Sequence, residues 1–301
     1  MRIFLSGSAS HLAQALLPRL CAHPGIGTVI GIDLQATAFA HPKFTPHIAD
    51  IRGPEVARLM QGCDALAHLA FVVLRGKMPA EAMHDINVKG TLNLFNAACQ
   101  AGIARLVHLS SAAVYGHGEN LRETADLCPL PGFLYGQHKV QVEAWLAREL
   151  PDAVRLRPHI ILGPQCQPLL LKILRQPCYV TLAEPQPLLQ CVHEDDVADA
   201  IIASLLLPAS GPINLATPGG YSLKQAITQG HAGAMPIPFG AAKFALNLAW
   251  RRSGFGGEPA WLDGVKQTLT LDCGRAQQVL GWQPQYDAQA TLASVIKPRL
   301  L

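Results

Sequence analysis

From residue 2 to residue 161 the chain repeats one unit: a short, nearly continuous apolar run, then a stretch with helical spacing. RIFLS (2–6), TVIGI (28–32), FTPHIAD (44–50), DALAHLA (64–70), ARLVHLS (104–110) and AVRLRPHII (153–161) read as strands. Residues 8–21, 79–101 and 135–149 read as helices between them, the second stopped by Gly102. A strand that is apolar on both sides must be covered on both faces, and a parallel sheet between two helix layers does this. Crossovers between parallel strands are right-handed, so the expected fold is α/β, a doubly wound Rossmann sheet.

After residue 163 prolines crowd in and the segments shorten. VHEDDVADAIIASLLL (192–207) is a helix, with His193 near its start and acids in its first turn, where the helix dipole favours them over a metal-ligand role. PINLA (212–216) is a returning strand, and helices follow near 222–231, 239–252 and 273–280. Residues 1–163 and 190–217 are therefore assigned to the Rossmann domain, and 164–189 and 218–301 to a smaller, mostly helical substrate-binding domain. At about 150 residues per domain, a chain of this length accommodates both.

Composition narrows the function classes. A net charge of +3 with no block of Lys or Arg argues against a nucleic-acid partner. Eight cysteines are scattered without a C-x-x-C pair, which reads as reduced thiols in the cytoplasm and no metal site. The longest later apolar runs, LAHLAFVVL and FGAAKFALNLAW, fall short of the roughly 18 residues that span a bilayer. Residues 6–11 also interrupt any leader-like run at the N-terminus.

A parallel sheet binds ligands at the carboxyl ends of its strands. The first such end is SGSASHLA, where the positions of a G-x-x-G-x-x-G loop carry Gly7, Ser10 and Ala13. Gly7 serves the tight turn and Ala13 is small enough for a helix–sheet contact. Ser10 puts a Cβ where backbone approaches a pyrophosphate, but its hydroxyl is itself a phosphate donor, and the helix N-terminus supplies free N–H groups. Asp33, at the end of the second strand, accepts from an adenosine ribose and repels a 2′-phosphate, which selects NAD over NADP. Asp50 and Ile51, after the third strand, are an acid and an aliphatic side chain placed to bracket an adenine.

The chemistry-bearing stretches are HLSSAAVYG (108–116) and YGQHK (135–139). Tyr135 and Lys139 share one helix face at i, i+4. An ammonium beside a phenol lowers the phenol's pKa and makes it an acid/base at neutral pH. Ser111, at the end of the fifth strand, hydrogen-bonds the same substrate oxygen. The set suits hydride transfer between an alcohol carbon and a nicotinamide.

Taken together, SGSASHLA, GID, ADIRG, DALAHLA, INVKGTLNLFNAA, LVHLSSAAVYG, YGQHK, LRPHIILGP, VHEDDVADAI and DCGRAQQVLGWQP resemble, in order and spacing, an extended short-chain dehydrogenase/reductase of the NAD-dependent epimerase/dehydratase family, of the kind that includes UDP-glucose 4-epimerase. The resemblance runs along nearly the whole chain. It implies a catalytic triad of Ser111, Tyr135 and Lys139. It implies cofactor contacts from Gly7, Ser10, His11, Leu12, Asp33, Asp50, Ile51, Leu69, Ala70, Phe71, Asn87, Ser110, Tyr135, Lys139, Pro158 and Ile160. Val72, Ser111, His159 and Arg251 are expected on the substrate side. A homodimer through helices 79–101 and 135–149 is also implied. Three departures shape the substrate. Ala112 and Ala113 replace the acid pair that dehydration needs, which argues against a 4,6-dehydratase. RPHIILGP lacks the Asn that epimerases often place there, and His138 stands where a small Ser is common. Three readings stay open: an epimerase or oxidoreductase acting on a nucleotide-sugar alcohol, a hydroxysteroid-type or lipid-alcohol dehydrogenase, and a non-catalytic NAD-binding regulator.

Overall fold

A computed structural model describes residues 1–296. Seven strands, β1 (Arg2–Ser6), β2 (Thr28–Asp33), β3 (Phe44–Ile48), β4 (Ala65–His68), β5 (Arg105–Leu109), β6 (Val154–Pro158) and β7 (Pro212–Leu215), form one sheet in the order 7-6-5-4-1-2-3. Every pairing in it is parallel. Strand order reverses between β1 and β4, so the binding crevice of this sheet lies over the carboxyl ends of those two strands.

Helices cover both faces. On one, Leu16, Leu17 and Leu20 of α1 (His11–Ala22) pack with Val197, Ile201 and Leu205 of the later helix Glu194–Leu206 over Ile3 and Leu5. On the other, Leu94, Phe95 and Ala98 of α2 (residues 80–100) pack beside Val142 and Leu146 of α3 (Leu134–Glu149), over Phe4. The odd and even residues of β1 thus feed opposite cores, as the near-continuous apolar runs require. α2 comprises Ala80–His84, a π-helical stretch Asp85–Gly90 and Thr91–Gln100. Such a π stretch turns side chains off the regular helical track and is common at functional sites.

The expected strand 153–161 divides at His159. Its N–H makes the last bond to β7, on the Leu215 carbonyl, and the chain then leaves the sheet. Ile160–Leu162 pairs instead with Cys191–His193. The helix Glu194–Leu206 (α4) and β7 return to the Rossmann half. Beyond it, Leu162, Leu174, Tyr221, Leu292 and Val295 form a separate core among helices Pro168–Arg175, Leu223–Gly230 and Ala288–Ile296. α5 (Phe239–Ser253) lies outside that core. The Gly274–Leu280 helix and Trp282 pack back against the first core, so this part of segment 218–301 covers the sheet. Among the described residues no helix is long and apolar enough to cross a membrane.

Candidate active site

The β1–α1 loop is tight because Gly7 has φ +78°, and a Cβ there would lie 2.6 Å from the Ala70 nitrogen. Only glycine satisfies both the left-handed backbone and this close approach of the β1 and β4 loops. Ser10 has φ −67° and ψ 160°, a conformation open to any residue, so the backbone does not demand glycine there. Its hydroxyl accepts from the Ala13 N–H at 3.3 Å as the N-cap of α1. Ala13 is fully buried at the helix–sheet contact, where its small side chain is required. The first-turn N–H groups of His11 and Leu12 have no acceptor within a helix, and α1 has no acid in its first turn, so this end accepts an anion. His11 is exposed and Leu12 buried. Asp33 holds the loop from the other side, accepting from the Ala9 N–H at 3.0 Å. The one-glycine loop is therefore a built turn with its helix end open to an anion. Ser10→Ala should lower stability by about 1 kcal/mol through loss of the cap, and Ser10→Gly by only a few tenths, in urea unfolding.

At the ends of β4 and β5 the predicted chemistry residues converge. The Ser111 side chain lies near enough to the Tyr135 hydroxyl to favour its ionised form, and it accepts from the Ala113 N–H at 3.2 Å. The Phe71 ring stands edge-on to Tyr135, with centroids 5.7 Å apart. Lys139 Nζ sits over that same Phe71 ring at 3.5 Å and donates to the Leu109 carbonyl at 2.5 Å. The lysine is 2 % exposed. Burial drives its pKa well below the usual value, opposed by the Glu143 carboxylate. Tyr135 departs from expectation: burial pushes its pKa up to about 12, with only Ser111 pulling it down. The reason is geometric. The ammonium is 5.7 Å from the Tyr135 ring centre and is engaged by Leu109 and Phe71.

A row of polar side chains runs beneath this site. Ser6, His68, His108 and Arg155 are register partners on β1, β4, β5 and β6, and all are buried. The Thr91 hydroxyl gives its proton to the Asn87 carbonyl at 2.6 Å, so it must accept from His68 Nε2 at 2.8 Å. His68 Nδ1 then accepts from Ser6 Oγ at 2.6 Å. Asn87, inside the π stretch, clamps the Val72 backbone, accepting from its N–H at 2.7 Å and donating to its carbonyl at 2.8 Å. Asn87 thus fixes the loop that carries Phe71 and Val72. Glu143 gathers the rest. It accepts from Ser110 Oγ at 2.5 Å, from Arg157 Nε at 2.9 Å and from Arg157 Nη2 at 2.5 Å, with Arg155 Nε at 3.7 Å. Glu143 was not anticipated, although its place four residues past Lys139 continues the Tyr135–Lys139 stripe.

Several of the other expected residues already have partners within the protein. The Asp50 carboxylate is engaged by Arg52, whose guanidinium holds its pKa low. Ile51 is buried and packs against Gly90, where a Cβ would lie 2.8 Å from its side chain. Leu69 is buried and its N–H donates to the Ser6 carbonyl at 3.1 Å. Pro158 is buried at the end of β6, and Ile160 packs beside the C-terminal core. His159 is buried with both ring nitrogens taken: its Nδ1 accepts from the Ile160 N–H at 2.8 Å, so Nε2 donates to the Leu269 carbonyl at 3.0 Å. It ties β6 to the strand Leu269–Leu271. Arg251 stands exposed on α5. Arg75, paired with Glu258 at 2.5 Å, lies beside Tyr135 with Val73, Leu74, Met83, Phe133 and Leu134 around a space of only about 10 Å³. Arg75 escaped notice because a lone arginine after an apolar run carries no motif.

Burial lowers the pKa of both His138 and His159 to about 4. Between the ordinary value of 6.5 and 4 the unfolded chain binds protons that the folded chain excludes. The contribution of these two histidines is therefore complete above pH 6.5 and falls as pH drops toward 4, by roughly 2 kcal/mol each between pH 7 and pH 5; Glu194, whose carboxyl burial raises to about 7, acts in the opposite direction over the same range. Urea unfolding of wild type and His159→Gln at the two pH values checks this; a stability difference between them that is the same at pH 5 and pH 7 would refute it.

The model of the NAD-dependent epimerase/dehydratase family matches residues 3–216. A ketoreductase of Stigmatella aurantiaca, named for a farnesyl-bearing dihydroquinoline oxide, is 26% identical over 83% of this chain and 81% of its own. The UDP-glucose 4-epimerase of Thermotoga maritima, solved with UDP-glucose, is 18% identical with a TM-score of 0.77, covering 98% of this chain and 97% of that one. The dTDP-glucose 4,6-dehydratase of Streptomyces venezuelae, solved with NAD, is 21% identical with a TM-score of 0.78, covering 98% and 96%. At these identities the two structures establish a shared fold.

Proposed function

The chain belongs to the NAD-dependent epimerase/dehydratase family, and from that membership we propose that it oxidises and reduces a secondary alcohol carbon with NAD as cofactor. The observation that carries the proposal is the meeting of Ser111, Tyr135 and Lys139 at the end of β5, beside the Gly7 loop and the open N-terminus of α1. The loop, the free helix end and Asp33 fit the cofactor's pyrophosphate and ribose. NAD, when bound, supplies the carbon that takes and returns hydride.

Tyr135 handles the proton. With its pKa near 12 it is protonated at neutral pH and stands as the acid that protonates a carbonyl oxygen. In the reverse direction its oxygen receives the hydroxyl proton. Ser111 holds the same oxygen by hydrogen bond, and Lys139, buried and fixed on Leu109, sets the local field. Ala112 and Ala113 supply no acid or base for eliminating water, so the proposed reaction ends at oxidation, reduction or epimerisation.

The substrate proposed first is a nucleotide sugar, supported by the sugar nucleotide bound in a similarly folded protein. An apolar alcohol is the second reading, favoured by Val73, Leu74, Met83, Phe133 and Leu134 around Tyr135 and by the farnesyl compound in the relative's name. A homodimer through α2 and α3 and a cytoplasmic location, which suits eight free cysteines, belong to the same proposal. Thermal melting with NAD present, against panels of UDP- and dTDP-sugars and of sterol and prenyl alcohols, separates the readings. A sugar nucleotide at 100 times its Kd raises stability by about 2.7 kcal/mol. Stabilisation by NAD but by neither panel would favour a regulatory NAD-binding role.

A further inference from the structure

None of α5's residues is fully buried. Its half-buried side holds it to the body: Trp250 Nε1 donates to the Gly76 carbonyl at 3.3 Å, and Lys243 pairs with Asp263 at 2.7 Å. Its outer side is a single stripe, since Ala241, Phe244, Ala245, Leu248, Arg251 and Arg252 are all exposed and recur at three- and four-residue spacing. Phe244 is 72% exposed and Leu248 44%. Gly254, in the left-handed conformation, ends the helix, and Phe255 follows it at 47% exposure.

Cations gather at one end of this apolar stripe. Arg251 and Arg252 lie in the last turn of α5. Lys172 stands 4.9 Å over the Phe255 ring, and Lys77 donates to the Arg251 carbonyl. Among the described residues none of these four forms an ion pair with a carboxylate. The neighbouring acids are already engaged, Glu258 by Arg75 and Asp263 by Lys243 and Lys266. The chain's net charge is only +3, so this end carries more unpaired positive charge than the molecule as a whole. Favourable placement at a helix C-terminus accounts for two arginines. It does not account for two phenylalanines and a leucine held in water beside four cations.

We propose that the outer face of α5 docks on an anionic lipid surface. Phe244, Leu248 and Phe255 enter the interfacial layer, and Lys77, Lys172, Arg251 and Arg252 meet headgroup phosphates. Charge complementarity selects this occupant. A second copy of the chain would bring the same stripe, which has no carboxylate to receive four cations. A lipid surface supplies both an apolar layer and a dense array of anions. Trp250 is anchored on the loop whose Val73, Leu74 and Arg75 lie beside Tyr135, so docking would set that site close to the membrane.

The test is vesicle co-sedimentation of the full chain. Vesicles of phosphatidylcholine alone are compared with phosphatidylcholine and phosphatidylglycerol mixed three to one. Binding is expected at least tenfold tighter to the anionic vesicles, and to weaken at least tenfold when salt rises from low to several times physiological strength. Arg251→Glu with Arg252→Glu, and separately Phe244→Ser with Phe255→Ser, should each lower the partition at least tenfold. Melting temperature should fall by no more than a few degrees, because all four side chains are exposed and the arginine pair loses only its favourable helix-end placement. Equal wild-type binding to the two vesicle types, or none to either, overturns the proposal. So does unchanged partition of the Phe244→Ser, Phe255→Ser variant. Concentration-dependent dimerisation without lipid, abolished by Phe244→Ser, would assign the stripe to a second copy and overturn it as well.

Discussion

Tyr135→Phe is expected to lower kcat/KM at least about 100-fold, the contribution of a positioned proton donor and acceptor. NAD affinity should change little, because the phenol oxygen is the only atom removed. The ring stays in its contact with Phe71, so melting should also hold. The wild-type pH profile carries the second half of this expectation. Burial holds the phenol near 12, so carbonyl reduction should be insensitive to pH between 6 and 9, while alcohol oxidation climbs with pH through that range. Steady-state rates in both directions check it. Activity of the Phe variant within threefold of wild type would remove Tyr135 from the mechanism. An oxidation rate that levels off near pH 7 would show that Lys139 lowers the phenol's pKa in the working complex, which the present positions of Leu109 and Phe71 do not favour.

The largest stability effect is expected at Glu143. This carboxylate, 2 % exposed, is shared by Arg157, Arg155 and Ser110 beneath the site. Glu143→Leu leaves two buried guanidinium groups without their anion and should cost about 3–5 kcal/mol, the penalty for stranding a buried charge. Adding Arg157→Met should return part of that loss, since removing both partners is far less costly than removing one. Urea unfolding of the single and double variants at pH 7 measures both terms. A single-variant loss below about 1 kcal/mol would show that the pair is solvated rather than buried.

How much of this was legible in the sequence depends on the kind of signal. β1, β2, β4 and β5 were readable because a strand buried on both faces must be apolar throughout, and α1, α2 and α3 because amphipathic spacing survives any loop chemistry. The end of β6 was misread because HII continues the apolar run. What ends it is tertiary: the His159 imidazole turns to the Leu269 carbonyl, 110 residues away in sequence. Short pairings such as Gly118–Leu121 with Leu269–Leu271 are joined only in space and have no local signature. At the site, the i, i+4 spacing placed Tyr135 and Lys139 on one helix face, yet spacing alone said nothing of where the ammonium points. Ser10 shows the converse. In the sequence it stands in for a glycine with a hydroxyl offered to phosphate; in the structure that hydroxyl is an N-cap, at a position whose backbone angles suit any residue.

One measurement tests the central claim most directly. The protein, loaded with NAD and then mixed with the ligand that stabilises it in the melting panels, is followed by the near-ultraviolet absorbance of reduced nicotinamide. Wild type is expected to show that absorbance within the first turnover, transiently if the hydride returns to the same carbon. Tyr135→Phe, with cofactor and ligand bound, is expected to show none. Saturated binding of both partners to wild type, with no reduced nicotinamide and no altered ligand at any time, would contradict an oxidoreductase centred on Tyr135.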